Sequence, residues 1–439
     1  MQASRVSGIK GIFRQRRAVF AAVLALGLVA TAAACGGDDD DDESTGGKLD
    51  PGREDVRAVP SEYKTIQKAV DAAEPGDLIL VSPGVYKEAV TVTTDDIVIR
   101  GLDRNEVILD GEFKKDNGIR VLEADGVAIE NMTARNYTTN GFYWISAKRY
   151  RGSYLTAHNN GDYGIYAFDS TVGLFEHSYG SGSPDAGFYI GQCFPCDAVI
   201  RDSIAENNGL GYSGTNAGGD LFIVDSTFRN NRAGIVPNSG SYEKYPPEHE
   251  TTIAGNLVYA NHNYDTAAID SAILAEGNGI LIAGGNDNVI TKNRVWDHEI
   301  AGIVIVISPD DKAEGGAYWP SGNKTTGNVV SDSGMADLAL FEQEGAKNCF
   351  ADNEFKTTAP SDLETLAPCE GAGKGDPKKG ALDLTKLATM EGKPPSKDYK
   401  KIPAPDPQPN MPDAATAPWE KAGSPPEVDL DAIEVPEQP

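Results

Sequence analysis

A glycine followed by an apolar residue returns at a fixed interval through the middle of this chain, and that interval narrows the possible folds more than any other feature. The pairs are Gly118-Ile119, Gly141-Phe142, Gly164-Ile165, Gly187-Phe188, Gly211-Tyr212, Gly234-Ile235, Gly279-Ile280 and Gly302-Ile303. Their steps are 23, 23, 23, 24, 23, 45 and 23 residues, the 45 being about two periods. Between the stations, Ile is followed within two or three residues by Asn or Asp, as in Ile129-Glu130-Asn131, Ile200-Arg201-Asp202, Ile223-Val224-Asp225 and Ile290-Thr291-Lys292-Asn293. The pairs Asn207-Asn208 and Asn230-Asn231 sit 23 apart, as do Asn136 and Asn159.

A short β-branched strand broken by Asn and Gly turns cannot bury a face by itself. Stacked at one coil per 23 residues, such strands build parallel sheets around one continuous core. Asn repeated at one turn can form a side-chain ladder, and Asn and Gly tolerate the left-handed backbone of tight turns. No 3.6-residue periodicity runs through the repeats, which excludes a helical solenoid. A β-sandwich would not keep one period for so long. The sequence therefore predicts a parallel β-helix with about 23 residues per coil.

The entry to the repeats reads YKTIQKAVDAAEPGDLILVSPGVYKEAVTV, residues 63–92. Ile66, Ala69, Val70 and Ala73 share one face of a short helix that would cap the open end of the core. Pro75-Gly76-Asp77 stops it, and Leu78–Val81 begins a strand. This TIQ-x-AV-x-x-A segment followed by PG-x-Y resembles the N-terminal cap of the pectin lyase-like superfamily, and with the coils the likeness spans about residues 59–358. The resemblance implies an all-β, right-handed parallel β-helix and carbohydrate chemistry, although fold alone does not assign an activity. The motifs of particular enzyme families are missing. Gly84-Val85-Tyr86-Lys87-Glu88 resembles a pectin methylesterase motif without its later partners. Val295-Trp296-Asp297-His298 falls one residue short of a pectate lyase motif and reads as turn chemistry. Asp310-Asp311 lacks the companions found in polygalacturonases and reads as a solvated loop. The coils also resemble those of copper-associated NosD-type proteins, but His158, His177, His249, His262 and His298 are scattered and predict no metal centre.

The ends are organised differently. Residues 1–34 combine a basic start (Arg5, Lys10, Arg14, Arg16, Arg17) with the apolar run 18–30. That run is too short to span a bilayer, so the segment reads as a signal peptide. Small residues before Cys35 resemble the lipobox of bacterial lipoproteins, with Ala32 where Leu is usual. The resemblance implies lipidation at Cys35 and an extracytoplasmic domain anchored to the cell membrane of a bacterial surface. Residues 35–58, with the acidic run Asp38–Glu43, read as a disordered tether. Residues 359–439 read as a Pro-rich, acidic, disordered tail.

Between them, residues 59–358 carry 42 Asp and Glu against 22 Lys and Arg. That balance argues against nucleic acid as a partner, and an acidic glycan would need a bridging cation. Cys193 with Cys196, and Cys349 with Cys369, are expected to pair as disulfides in an oxidising compartment. A monomer is expected.

Within the coils the residue after each inward apolar one points outward. Tyr143, Tyr166 and Tyr189 should therefore form an exposed ladder, with Asp162 and Asp185 two residues before their glycines. Rings stack on sugar CH faces, and carboxylates accept from hydroxyls or hold Ca²⁺, so no cofactor is required but Ca²⁺ is compatible. Two close carboxylates repel, which suits one to general acid catalysis. Asp162, Asp185 and His177 are the candidate catalytic residues, with Lys148 and Arg149 near in register. Tyr143, Tyr166, Tyr189, Gln192 and Asn216 are the candidate binding residues. The insertions 237–250 and 262–277 should overhang this face. Two readings follow: a polysaccharide lyase, hydrolase or epimerase, or a non-catalytic glycan-binding or envelope structural module.

Overall fold

The computed structural model describes residues 54–383 and 394–439; the expected signal peptide, Cys35 and most of the tether lie outside them. The chain winds as a right-handed parallel β-helix with three faces. The first face includes Val98–Gly101, Thr171–Glu176, Ala198–Arg201, Gly218–Val224 and His249–Ala254. The second includes Val107–Asp110, Tyr179–Ser181, Ile204–Glu206, Thr227–Arg229 and Arg294–His298. Strands Ala128–Arg135 and Lys148–His158 run round the corner between these two faces and join them into one sheet of 20 strands. The third face is a separate sheet of 11 strands that includes Phe142–Ile145, Ile165–Phe168, Ala186–Gly191 and Leu210–Thr215.

The repeat is explained atom by atom. Phe142, Ile165, Phe188, Tyr212, Ile235, Ile280 and Ile303 all point inward and are fully buried. The glycine before each passes close to the next coil: a Cβ on Gly141 would sit 2.7 Å from the Gly164 carbonyl oxygen, and one on Gly164 2.6 Å from that of Gly187. Only glycine allows coils to stack at this point. The Asn positions divide into two jobs. Asn136, Asn159, Asn207 and Asn230 take left-handed backbone at the corner between the second and third faces, with φ of 60°, 55°, 61° and 52°. Their neighbours form ladders. Asn231 Oδ1 accepts from the backbone N–H and the Nδ2 of Asn208, both at 3.0 Å, and Asn231 Nδ2 donates to Asn261 Oδ1 at 3.0 Å. A second ladder runs Asn256, Asn293, Asn328, Asn353.

The cap is the expected one. Helix α1, Ile66–Asp71, is N-capped by Thr65 and buries Ile66, Ala69 and Val70. Glu88 accounts for the GxYxE sequence: its carboxylate accepts from the first backbone N–H groups of α1, those of Ile66 and Gln67. Both disulfides form, Cys193–Cys196 and Cys349–Cys369.

Two boundaries need correction. The solenoid begins inside the expected tether, because Val56–Val59 pairs with Leu78–Val81. It also extends past 358, through Thr358–Ala359 and helix α3, Leu363–Leu366, to Cys369. The expectation of a loose tail fails for residues 394–439, which run from the corner between the second and third faces across the outer surface of the second and first faces. Proline content removes strand-forming donors, but it leaves carbonyl acceptors, and the solenoid supplies donors to meet them.

Replacing Asn231 by Ala leaves the buried backbone N–H of Asn208 without its acceptor, and burial makes that costly. We expect a loss of about 2 kcal/mol in urea unfolding, whereas Asn230→Gly, which keeps a residue tolerant of φ near 52°, should cost less than half as much.

Candidate functional site

The tyrosine column lies on the third face. Tyr143, Tyr166 and Tyr189 are in register on successive strands. Their ring centroids are 4.8 and 4.6 Å apart. Tyr143 and Tyr166 are half-buried, but Tyr189 is only 1% exposed, which corrects the expectation of three open rings. The cause is the insertion 237–250, which folds down so that Glu243 accepts the Tyr189 hydroxyl at 2.8 Å. A fourth ring completes the cluster. Tyr163 stacks on Tyr166 at 4.4 Å and lies 4.9 Å from Tyr189. It was not legible from the period, because its equivalents one coil either side are Asn140 and Ala186.

Asp162 and Asp185 occupy equivalent turns of adjacent coils, the Asp185 N–H donating to the Asp162 carbonyl at 3.1 Å. Burial raises the Asp162 carboxyl from 3.8 to about 6. Asp185, 8% exposed, is pushed well above its ordinary value by burial and then by the charge of Asp162, against a hydrogen bond from Tyr163. Glu243 is a third member, raised by burial from 4.5 to about 7 despite the Tyr189 hydrogen bond. The sequence marked its loop as an overhang without singling out this residue. Three neighbouring carboxyl groups that favour protonation can hold and exchange protons near neutral pH. Burial and neighbouring negative charge also raise the Tyr166 phenol, which therefore stays neutral.

Other expected residues lie elsewhere or do other work. His177 sits at a left-handed turn between the first and second faces, stacked on Tyr154 at 4.6 Å, with its carbonyl accepting from Arg104. It does not meet Asp162 or Asp185, because it belongs to a different corner of the coil. Lys148 and Arg149 begin a first-face strand. Gln192 and Asn216 are buried and hold the insertion instead of facing a ligand. Gln192 Oε1 accepts from the Lys244 N–H, and Asn216 Nδ2 donates to the carbonyls of Gly240 and Glu243. Asp310 anchors the same insertion by accepting from the Ser241 N–H. The second insertion carries helix α2, Asp270–Ala275, which packs Ala272 and Ala275 on Ala186, Leu210 and Ala233, with Tyr163 at the edge. The carboxyl cluster is thus walled on two sides. Among the described residues, no three His, Cys, Asp or Glu side chains converge as metal ligands.

An open depression lies on the first face instead, lined by Phe194, Asp220, Phe222, Glu250, Asp287 and Val289. Its carboxylates are solvent-exposed.

The family model described as right handed beta helix region matches residues 99–258. No curated protein matches by sequence. Among solved structures, the A-module of the Azotobacter vinelandii mannuronan C-5 epimerase AlgE4 is similar at 17% identity and a TM-score of 0.48, over 66% of this chain and 90% of that one. Pectate lyase Pel9A is similar at 16% identity and a TM-score of 0.40, over 84% and 90%. The catalytic domain of a GH87 alpha-1,3-glucanase is similar at 13% identity and a TM-score of 0.42, over 75% and 70%. The solenoid bears out the sequence's superfamily resemblance as far as the fold goes. Likeness at this level leaves the chemistry to be read from the residues themselves.

A carboxyl whose proton affinity rises on folding stabilises fully below its unfolded value and loses that contribution as pH rises through the folded value. Glu243, at about 7 against 4.5, and Asp162, at about 6 against 3.8, set a window from about pH 4 to pH 7 in which stability should fall. Glu248, buried and raised to about 8, adds to the same slope. In chemical unfolding across this window, Glu243→Gln should decline less steeply than the wild type. An unchanged slope would show that Glu243 does not carry this proton.

Proposed function

We propose that the third face binds a neutral polysaccharide across Tyr143, Tyr163 and Tyr166 and hydrolyses a glycosidic bond at Asp162 and Asp185. The observation that carries this reading is the set of three carboxyl groups of raised proton affinity packed beside a partly open stack of tyrosine rings. A sugar ring laid on the tyrosines gains apolar contact with its CH face. Its hydroxyls then meet the carboxyl edge.

Asp185 is the more buried of the pair and retains its proton to higher pH, which suits it to donate to the departing glycosidic oxygen. Asp162, more open to solvent, ionises first and acts as base toward water or as nucleophile. Glu243 keeps Tyr189 in place and maintains the charge pressure on Asp185.

Hydrolysis fits better than elimination or epimerisation of a uronate. Those reactions require a cation beside the sugar carboxylate. Of the basic groups nearby, Lys244 pairs with Asp169 at 2.8 Å and Arg120 reaches Asp116 at 3.5 Å. The carboxyl cluster would also repel an acidic chain. A non-catalytic glycan-binding module would use the same tyrosines, and the experiment separates the two. On a panel of neutral polysaccharides, Asp185→Asn should cut reducing-end release by at least about 100-fold while retaining binding, and Tyr166→Ala should weaken binding. Binding without turnover by the wild type leaves the module and removes the hydrolase.

We further propose that the chain is exported and held as a monomeric lipoprotein at Cys35 on the cell surface. The basic and apolar start, the small residues before Cys35 and the two disulfides support this. Labelled palmitate should enter the wild type, and Cys35→Ala should abolish the label and release the protein into the soluble extracytoplasmic fraction.

A further inference from the structure

Residues 394–439 contain 12 prolines. Proline has no N–H, so such a segment is poorly suited to add a strand to a sheet, but every carbonyl remains an acceptor. The solenoid offers a line of donors to those carbonyls. Arg232 donates to Pro394 and Pro395 at 2.8 and 3.0 Å, and Asn159 to Tyr399 and Ile402 at 2.7 and 2.8 Å. Arg104 reaches Pro409 at 3.0 Å, and Arg100 reaches Ala417 and Pro418 at 2.8 and 3.0 Å. On the return leg Lys292 donates to Leu430 at 2.8 Å, and Arg294 to Pro436. Arg100, Arg104 and Arg232 are 2% exposed or less.

Apolar anchors complete the track. Trp419 and Ala422 pack on Leu78, Leu80, Val98 and Ala128, and Ile433 packs on Leu174, Val199, Val224 and Ala254. These are outward positions of the first face, apolar where a free solenoid would be polar.

The strap also grips a wall of the carboxyl cluster. Arg232, besides its strap contacts, pairs with Glu276 at 2.9 Å and donates to the Tyr264 and Thr266 carbonyls. Ser396 Oγ accepts from the Ala268 N–H, and the Lys397 N–H donates to Thr266. The segment 262–277 that carries α2 is therefore bonded to the strap on one side and packed on the third face on the other.

We infer that the outer surfaces of the first and second faces, together with the corner that joins the second face to the third, form a docking groove for a proline-rich chain. Residues 394–439 occupy it as a tethered ligand, and their docking fixes the wall built by 262–277. The groove itself is independent of the hydrolase reading; only an effect on glycan affinity rests on it.

The test uses the full chain with a protease recognition sequence inserted between residues 388 and 389. After cleavage, gel filtration should show the fragment bearing 394–439 still co-eluting with the solenoid at micromolar concentration. The combination Trp419→Ala with Ile433→Asp, both in the strap, should release it and raise deuterium uptake in 262–277 by at least about threefold. Arg104→Ala in the groove should release it as well. Separation of the native fragment on cleavage, or retention of the strap variant, would overturn the groove. Release with unchanged exchange in 262–277 would overturn the coupling to the wall. A fall in glycan affinity on release tests the link to the site separately from both.

Discussion

Parallel main-chain hydrogen bonds between one coil and the next are the interaction on which everything else in this molecule depends. They fix a spacing of about 4.8 Å and a register that carries each column of side chains unchanged along the axis. Tyr143, Tyr166 and Tyr189 stack because their strands pair residue for residue. Asp162 and Asp185 are forced together for the same reason: their turns are hydrogen-bonded neighbours. Like charges that would drift apart on a flexible loop are held close by the backbone. Burial under two overhangs then turns their proximity into raised proton affinity.

What was legible in the sequence is what this spacing repeats. The glycine column, the inward apolar column, the asparagine turns and the capping helix each answer to a constraint that recurs every coil, so each left a periodic trace. What was hidden breaks the repeat. Tyr163 stands where neighbouring coils have Asn140 and Ala186, and Glu243 comes from an insertion with no counterpart. Gln192 and Asn216 directly follow third-face strands, and their burial depends on how that insertion folds back. His177 was close in sequence to the tyrosines and yet sits at another corner, because half a coil separates the two along the path.

The tail departs from its sequence pattern for a different reason. Its proline content argues correctly against a strand or a core of its own. It does not argue against docking, since carbonyl groups and a few apolar side chains suffice when the partner surface supplies the rest. A trace of that partner was present in the sequence: Val199 and Val224 lie on outward positions of the first face and are apolar, which a solvated solenoid does not need. Outward apolar residues on a solenoid are best read as a request for a cover.

The strap also changes what kind of polymer this is. In a bare solenoid every contact is between near neighbours, so coils can form in sequence as the chain emerges. Here Arg100 bonds to Ala417 across 317 residues and Arg104 to Pro409 across 305. Those contacts close very long loops, and they wait on residues 409–418. The earliest coils therefore reach their final surroundings only after residues 409–418 have been made, so that a chain cut short before them leaves Arg100 and Arg104 without the carbonyls of Ala417, Pro418 and Pro409.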